Sequence, residues 1–299
     1  MKKSKVQNSK SQVQSPKFKA GRSFNSQSSD YKPKTEQSGN IIFGVLPVLE
    51  ALRAANRRIE KIVVADGAQE KRLAEILFLA RENCVRFEKT PRENLAQYVE
   101  SGANHQGVIA LVAAADYYPT DELLEAIYRK IEAGEKPLIV ILDGVEDPRN
   151  LGAILRTVEC AGADGVFIPE RRAVGLTETV AKSAAGATEY VKVAKVTNVN
   201  RLIDRLKEHN IWVVGTSGAA ETNYTDWDFN VPCALILGGE GKGLHRLTAE
   251  KCDALVKIPM RGRIESLNVS VACGVILFEA NRQRRITNDE LRIKNEGTV

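Results

Sequence analysis

Runs with the pattern of strands and runs with the pattern of helices alternate in two blocks along the chain, and a polar stretch separates the blocks. In the first block, residues 41–115, IEKIVVA and GVIALVAA predict strands, while LPVLEALRA and EKRLAEILFLARENC predict helices. Residues 116–136 are polar with a helical middle, which is typical of a linker. We therefore expect a small α/β domain followed by a connection to a second domain.

In the second block, residues 137–285, predicted strands and helices follow one another. The strands are PLIVILD, GVFIP, IWVVGTS, CALILGG and DALVKIPM, and the helices run through ILRTVECAG, ETVAKSAAG and VNRLIDRLKEHN, with a last helix from Leu267 to Arg284. This alternation predicts a parallel sheet covered by helices on both faces. Ligands of such sheets bind at the carboxyl ends of the strands. Residues 286–299 are interpreted as a C-terminal tail.

The first 40 residues differ from both blocks, because Ser, Lys and Gln dominate and large apolar side chains are almost absent. Such a segment cannot offset the entropy of ordering, so we predict a disordered tail. It carries nine Lys or Arg and two acidic residues, a net +7, which leaves −2 for the remaining 259 residues of a chain whose total is +5. A basic arm attracts RNA phosphates through counterion release. A solvated tail with no specific role is an equally open interpretation.

Composition excludes several classes of protein. No apolar run reaches the roughly 18 residues of a membrane span, and the N-terminus lacks the apolar segment of a secretory signal. The five cysteines lie far apart, and the three histidines complete no metal-ligand spacing. We expect a cytoplasmic protein with reduced thiols and no metal. His105 is interpreted as a turn or domain-packing residue, with contact to RNA as the alternative, and His245 as a packing or capping residue.

The first of three polar motifs is DPRNLGAILR at 147–156, where an apolar strand leads into a helix. Apolar residues between Leu151 and Val158 recur on one helical face, which is expected to pack on the sheet. Arg156 falls almost opposite that face, one turn after Gly152, and we expect the glycine to leave open space beside the guanidinium. An isolated arginine in this position is usually a solvated surface residue. The motif alone therefore leaves the role of Arg156 open.

The second motif is LGGEGKGL at 237–244. A phosphate-binding P-loop is excluded, because Gly243 stands where Ser or Thr is needed and Ile236 stands where the first glycine is needed. The four glycines instead allow the backbone to wrap closely around a flat ligand. Glu240 in this loop is either an active-site carboxylate or a structural one.

The third motif is SLNVSVA at 266–272. Ser266 is a plausible N-cap of the last helix, which is almost entirely apolar or small through Phe278 and is expected to be buried on most sides. Ser266 and Asn268 would then stand at a helix start facing the pocket. Simple capping is the alternative interpretation, and it is stronger for Ser266 alone than for the pair.

Together, in this order, the three motifs resemble those of the SpoU/TrmH group of the SPOUT superfamily, which are S-adenosylmethionine-dependent RNA ribose 2'-O-methyltransferases. The segments IIFGVLPVLEAL and HQGVIALV resemble the L30e-like RNA-binding domain of the branch that includes bacterial 23S rRNA guanosine 2'-O-methyltransferases. The resemblance implies an α/β fold whose C-terminal domain is a SPOUT α/β-knot (trefoil knot), an exception to the rule that chains avoid knots. It also implies a homodimer that acts on RNA, with a guanosine of 23S rRNA as the preferred target.

The resemblance further assigns roles to particular residues. It implies catalytic roles for Arg156, Asn150, Glu240, Ser266 and Asn268, and contacts to S-adenosylmethionine for Gly238, Ile258, Leu267, Thr216, Gly218, Gly241, Pro259 and Met260. Because an arginine keeps its proton, holding a phosphate and stabilising the developing alkoxide is the safer hypothesis for Arg156 than a general-base role.

Three alternatives stay open at this point. One is a tRNA 2'-O-methyltransferase, and another is a non-catalytic ribosome-assembly factor that binds RNA with the same fold. The third is a nucleotide-dependent enzyme that uses the loop at 238–243.

Overall fold

The computed structural model describes residues 40–68, 70–99, 102–113 and 115–296. The basic tail predicted for residues 1–40 lies outside the described residues except for Asn40. In the first block the strands are β1 (Asn40–Phe43), β2 (Ile59–Ala65), β3 (Arg86–Thr90) and β4 (Val108–Val112), and the helices are α1 (Val45–Ala54), α2 (Glu70–Glu82) and α3 (Arg92–Leu95), followed by a 3-10 turn at Ala96–Tyr98.

The first block forms a four-stranded sheet with the order β1-β4-β2-β3. Only the β2–β3 pair is parallel, so the sheet is mixed. Both predicted strands and both predicted helices are present. The sequence pattern did not reveal β1 or β3. In β3, RFEKT, no residue is buried, so the edge strand lacks the apolar alternation that marks a half-buried one.

The stretch predicted to be a linker contains α4 (Thr120–Glu132). Leu123, Leu124 and Ile127 of this helix are at most 1% exposed and pack with Ile139 and Phe167 of the large sheet. The helix therefore covers the sheet of the second block and contributes to its core.

The second block forms a seven-stranded sheet with the order β7-β6-β5-β10-β8-β11-β9, and every neighbouring pair is parallel, which confirms the predicted architecture. Its strands are β5 (Leu138–Asp143), β6 (Gly165–Pro169), β7 (Val193–Val196), β8 (Trp212–Thr216), β9 (Thr222–Asn223), β10 (Cys233–Gly238) and β11 (Ala254–Lys257). Its remaining helices are α5 (Pro148–Ala161), α6 (Glu178–Ser183), α7 (Val199–Glu208), α8 (Arg246–Lys251) and α9 (Val269–Glu296), with a 3-10 turn at Ala187–Glu189.

Two apolar clusters cover the two faces of this sheet, because side chains alternate along each strand. Leu142 and Leu237 belong to the cluster that includes α5, α6 and α9. Ile141 and Ile236 belong to the cluster that includes α4 and α7. The carboxyl ends of the central strands are therefore held between helices on both sides.

The last helix differs from its prediction at both ends. It begins at Val269 and continues to Glu296, through most of the predicted tail. Val271 and Phe278 are 50% and 52% exposed, so the prediction that this helix is buried on most sides is wrong for one face. The trefoil knot stays a prediction.

Contacts along α9 show that it runs parallel to α5. A Cβ built at Gly274 would lie 3.6 Å from Thr157 Cγ2, and farther along both helices Asn281 Nδ2 donates to the Ala161 carbonyl at 2.8 Å. One turn farther along α9, Arg284 donates to the carbonyl oxygens of Lys136, Phe229 and Val231 at 2.7 to 3.0 Å. These bonds fix the position of α9, and therefore of the third motif at its start.

The small domain contacts the large one through a buried ion pair. Arg57, in the segment just before β2, pairs with Glu189, and the two side chains are 10% and 3% exposed. Beside it, Tyr190 Oη donates to Glu50 Oε2 at 2.8 Å. Both partners of a buried pair must stay together, because removing one leaves an uncompensated charge. These contacts therefore favour the docked arrangement of the two domains.

Candidate active site at the carboxyl edge of the large sheet

The three motifs meet at one edge of the large sheet. The central strand β10 lies between β5 and β8, and its last residue, Gly238, is paired in register with Asp143, the last residue of β5. The first motif follows β5, the second follows β10, and the third follows β11 after the irregular segment 258–268. Parallel pairing therefore brings three distant stretches of sequence to one place, as the pattern of strands predicted.

A chain of hydrogen bonds joins one side chain from each motif. Asn268 Nδ2 donates to Asn150 Oδ1 at 2.9 Å, and Asn150 Nδ2 donates to Glu240 Oε1. Glu240 and Asn268 are exposed and Asn150 is half-buried, so the chain of side chains is accessible to a ligand. The structure thus brings together three of the five residues assigned to catalysis by family resemblance.

The direction of this chain is set by the backbone of α9. Ser270 N donates to Asn268 Oδ1 at 2.9 Å, and Ser270 Oγ contacts the same oxygen at 2.5 Å. A backbone N–H can only donate, so the amide oxygen of Asn268 must face Ser270 and its Nδ2 must face Asn150. The next amide is oriented in turn, and Glu240 receives a hydrogen bond as a carboxylate acceptor. Sequence reasoning missed Ser270, whose signal was its position two residues after Asn268 at a helix start.

The predicted N-cap at Ser266 is wrong. The helix begins three residues later, where Asn268 caps it: Ser270 N donates to its side chain and Ala272 N donates to its carbonyl at 3.0 Å. Ser266 is exposed in the irregular segment, and no described residue forms a hydrogen bond with it. An Asn at the cap position satisfies the same backbone donors as a Ser would.

The glycine-rich loop folds back on the strand that it follows. Gly239 N donates to the Asp143 carbonyl at 2.9 Å, and Gly243 N donates to the Gly239 carbonyl at 3.0 Å. A Cβ at Gly238 would collide with the backbone of Gly243 and Leu244. The sequence predicted that the backbone of this motif approaches a flat ligand closely. At Gly238 the close approach is to the backbone of the loop itself. Gly241 and Gly243 have φ values of +77° and +66°, which glycine adopts without strain.

Arg156 lies exposed on α5, away from the buried stripe, as its helical position predicted. Among the described residues no side chain forms an ion pair or hydrogen bond with its guanidinium. The prediction for Gly152 is wrong: the residue is buried, and a Cβ there would lie 2.5 Å from Ser183 Cβ and 2.7 Å from the Val180 carbonyl oxygen. Gly152 therefore allows α5 and α6 to pack closely and opens no space beside Arg156.

The residues expected to contact the cofactor lie at or just beyond the ends of β8, β10 and β11. Thr216 Oγ1 donates to the Ile236 carbonyl at 3.2 Å, and a Cβ built at Gly218 would meet no atom within 4 Å. Ile258 packs against the apolar cluster that includes α9. Leu267 and Met260 are 41% and 36% exposed, and Pro259 lies between Ile258 and Met260. Open space and exposed apolar side chains at the strand ends fit a flat ligand with an apolar surface.

Thiol chemistry by the cysteines of the large domain is disfavoured. Burial raises the pKa of Cys252 and of Cys273 to about 12. Burial also raises the pKa of Cys160 on α5, although nearby Arg156 opposes that shift. Protonated thiols are poor nucleophiles, so a covalent cysteine intermediate is not the chemistry that this site favours. All five cysteines are free.

His105 and His245 both have defined structural partners. His105 is 8% exposed, and its Nδ1 accepts from Gly107 N at 3.2 Å, which is the turn role expected of it. His245 instead contacts the Asp143 carboxylate, with 2.8 Å between His245 Nδ1 and Asp143 Oδ1.

Comparison with known proteins decides the family. The model of the SpoU rRNA methylase family matches residues 137–278, and the model for RNA 2'-O ribose methyltransferase substrate binding matches residues 41–118. A relative in Bacillus subtilis, named as a putative TrmH family tRNA/rRNA methyltransferase, YacO, is 43% identical over 83% of this chain and 97% of the relative. The chain belongs to the SpoU family. It is an RNA ribose 2'-O-methyltransferase of the group whose methyl donor is S-adenosylmethionine, as the motifs predicted.

Two further relatives agree with this assignment. The 23S rRNA (guanosine-2'-O-)-methyltransferase RlmB of Pseudomonas putida is 44% identical over 82% of this chain and 97% of its own length. The crystal structure of the AdoMet-bound rRNA methyltransferase of Sinorhizobium meliloti is 25% identical, with a TM-score of 0.65 over 82% of this chain and 87% of that one. The alignments with these SpoU-type proteins extend over both domains.

Two other properties bear on the chemistry. Within the described ranges, no group of three or more His, Cys, Asp or Glu side chains is arranged to hold a metal ion. No helix in the part of the chain that the structure describes is long and apolar enough to cross a bilayer.

The hydrogen bond between Asn150 and Glu240 can be tested by reversing its direction. Asn150→Asp places two carboxylates face to face, and we expect it to lower the free energy of unfolding by about 1 kcal/mol, a modest value because Glu240 is exposed. Adding Glu240→Gln restores a donor and an acceptor in the opposite direction, so the double variant should recover most of this loss in urea unfolding. Glu240→Gln alone keeps an acceptor oxygen and is the matched control. A double variant no more stable than Asn150→Asp would contradict the bond.

Proposed function

We propose that this protein transfers the methyl group of S-adenosylmethionine to the ribose 2'-hydroxyl of a guanosine in 23S rRNA. The observation that carries the proposal is the hydrogen-bonded chain Asn268–Asn150–Glu240, because it links all three motifs at the edge where ligands of parallel sheets bind. The guanosine of 23S rRNA is supported by the activity for which the Pseudomonas putida relative is named. A ribosomal RNA target also fits a cytoplasmic location.

The cofactor would be held by the ends of three neighbouring strands. Gly238 and Gly241 of the glycine-rich loop supply backbone groups, Thr216 is the last residue of β8, and Gly218 lies just beyond it. Beyond β11, the cofactor would contact Ile258, Pro259, Met260 and Leu267. S-adenosylmethionine supplies an electrophilic methyl group, and exposed apolar side chains beside open backbone fit its adenine and methionine portions.

Arg156 binds the phosphate beside the target ribose and stabilises the negative charge that develops on the 2'-oxygen. Its guanidinium is exposed and has no carboxylate partner among the described residues, so it is available to an anion. Preorganised donors of this kind act on the transition state, where the charge is largest. The planar fork of an arginine suits a phosphate better than a lysine does.

Glu240 and the two asparagines orient the reacting groups. One oxygen of Glu240 accepts from Asn150, which leaves the other oxygen as an acceptor for a ribose hydroxyl or a base N–H. Ser266, exposed near the start of α9, contacts the substrate rather than the helix backbone. Holding two reactants in one orientation supplies a large part of the acceleration in a direct transfer.

RNA is held by the small domain and the tail as well as by the catalytic domain. In this division residues 41–115 form the RNA-binding domain, 116–136 connect it to the methyltransferase domain at 137–285, and the basic tail at 1–40 adds nonspecific attraction to phosphates. The buried Arg57–Glu189 pair supports a fixed arrangement of the two domains while RNA is bound.

The active form is a homodimer whose interface includes α9. Val271 and Phe278 lie two turns apart on α9 and are about half exposed. They form an apolar stripe that contacts water unless another chain covers it. The adjacent parallel helix α5 carries Arg156. A second copy packed on this face would bury the stripe and bring a second Arg156 close to the interface.

The target is tested by methylation of RNA in vitro. With S-adenosylmethionine, the full chain should convert one guanosine of a 23S rRNA transcript to 2'-O-methylguanosine, identified by mass spectrometry of nuclease fragments. A tRNA mixture serves as the second substrate, since the Bacillus subtilis relative carries a tRNA/rRNA name. Methylation of tRNA but not of 23S rRNA would show that the proposed target is wrong. Saturable binding of S-adenosylmethionine without methylation of either RNA would contradict the proposed enzyme activity.

The role of Arg156 predicts a loss of turnover without a loss of cofactor binding. Arg156→Lys should lower kcat about 100-fold or more, because lysine lacks the planar fork, while the Kd for S-adenosylmethionine stays within about twofold. Arg201→Lys, an exposed arginine on α7, is the matched control and should leave kcat unchanged. Near-normal turnover of Arg156→Lys would show that the planar fork is not needed.

A further inference from the structure

A single residue, Asp143, contacts both ends of the glycine-rich loop, through its backbone carbonyl at the start and through its carboxylate at the end. Where the loop begins, Gly239 N donates to the Asp143 carbonyl at 2.9 Å. Where it ends, His245 N donates to Asp143 Oδ2 at 2.9 Å, and His245 Nδ1 lies 2.8 Å from Asp143 Oδ1. The short loop between these contacts carries Glu240. The conformation of Glu240 therefore depends on Asp143 at both ends of its segment.

Asp143 is suited to this task by its burial and its strand position. The residue is 5% exposed, so its carboxylate is stable there only if polar hydrogens satisfy both oxygens. His245 supplies a donor to each oxygen. Between Asp143 and Val145, Gly144 has a φ of +89°, a backbone conformation that favours glycine.

The loop is held from opposite faces of the sheet. Leu142 points into the cluster that includes α5 and α9, so the next residue along the strand, Asp143, points to the other face. On that other face Leu244, next to His245, packs with the cluster that includes α7. On the α5 side, Glu240 is held by Asn150. Loss of either attachment would leave Glu240 held from one face only.

We propose that Asp143 and His245 form a clamp that positions the loop at 239–244 for cofactor binding and sets the orientation of Glu240. The proposal rests on the proposed function, because that function places the cofactor against this loop. Both are positioning residues: they act through the backbone of the loop and not through contact with the reacting atoms. The exposed Nε2 side of the His245 ring is not needed for this role, which depends only on its Nδ1 and backbone N.

The test is a double-mutant cycle on the full chain with His245→Ala and Asp143→Asn, measured as the Kd for S-adenosylmethionine by calorimetry and as kcat on RNA. Each single variant should raise the Kd about tenfold, as expected for the loss of one charge-assisted hydrogen bond. The double variant should raise the Kd hardly further than either single variant, because the two residues act as one unit.

Two other variants serve as comparisons. His245→Asn, which can keep a side-chain donor, should recover part of the affinity. Arg246→Ala, the adjacent exposed residue paired with Glu250, is the control and should bind as the wild type does.

Four outcomes separate the possibilities. Non-additive losses in Kd with unchanged thermal unfolding midpoints support the clamp. His245→Ala that binds S-adenosylmethionine within twofold of the wild type overturns it, and this variant decides the matter even if Asp143→Asn does not fold. Losses that simply add in the double variant also overturn it. Wild-type protein that shows no saturable binding of S-adenosylmethionine overturns the proposed function together with the clamp.

Discussion

The site depends on one backbone hydrogen bond, from Ser270 N to Asn268 Oδ1 at the first turn of α9. The direction of this bond cannot be reversed, because a peptide N–H donates and does not accept. It orients Asn268, which orients Asn150, which in turn presents a donor to Glu240. A helix N-terminus thus sets the polarity of three side chains that come from three separate motifs.

Strand order makes this convergence possible. The β10 strand lies between β5 and β8, so the loops that follow β5 and β10 start side by side. Close approach of the loop to the strand requires Gly238, where any Cβ would meet the backbone of Gly243 and Leu244. The same close approach brings His245 to Asp143 and Glu240 to Asn150. The glycines of the second motif therefore serve the folding of the loop as much as any ligand.

The sequence predicted the parallel sheet and the place of the site, because apolar periodicity and strand-end motifs are local signals. Family resemblance assigned Asn150, Glu240 and Asn268 to that site. The sequence did not predict features that depend on the packing partner. The prediction for Gly152 failed because nothing in the motif reveals that Ser183 and Val180 lie against it. Ser266 was expected to cap a helix that begins only at Val269, since either Ser or Asn is a good cap and the pattern cannot choose between them. The Asp143–His245 contact joins residues 102 positions apart and left no local pattern.

The central claim is that the three motifs form a single cleft for a sulfonium-bearing ligand with a guanidinium close by. The most direct measurement is a crystal structure of the full chain with S-adenosylhomocysteine bound. We expect the ligand to lie against the backbone at 238, 258 and 267, with Arg156 of the same or the second subunit facing the position of the missing methyl group. A ligand bound elsewhere, or Arg156 remote from it in every subunit of the assembly, would contradict the account.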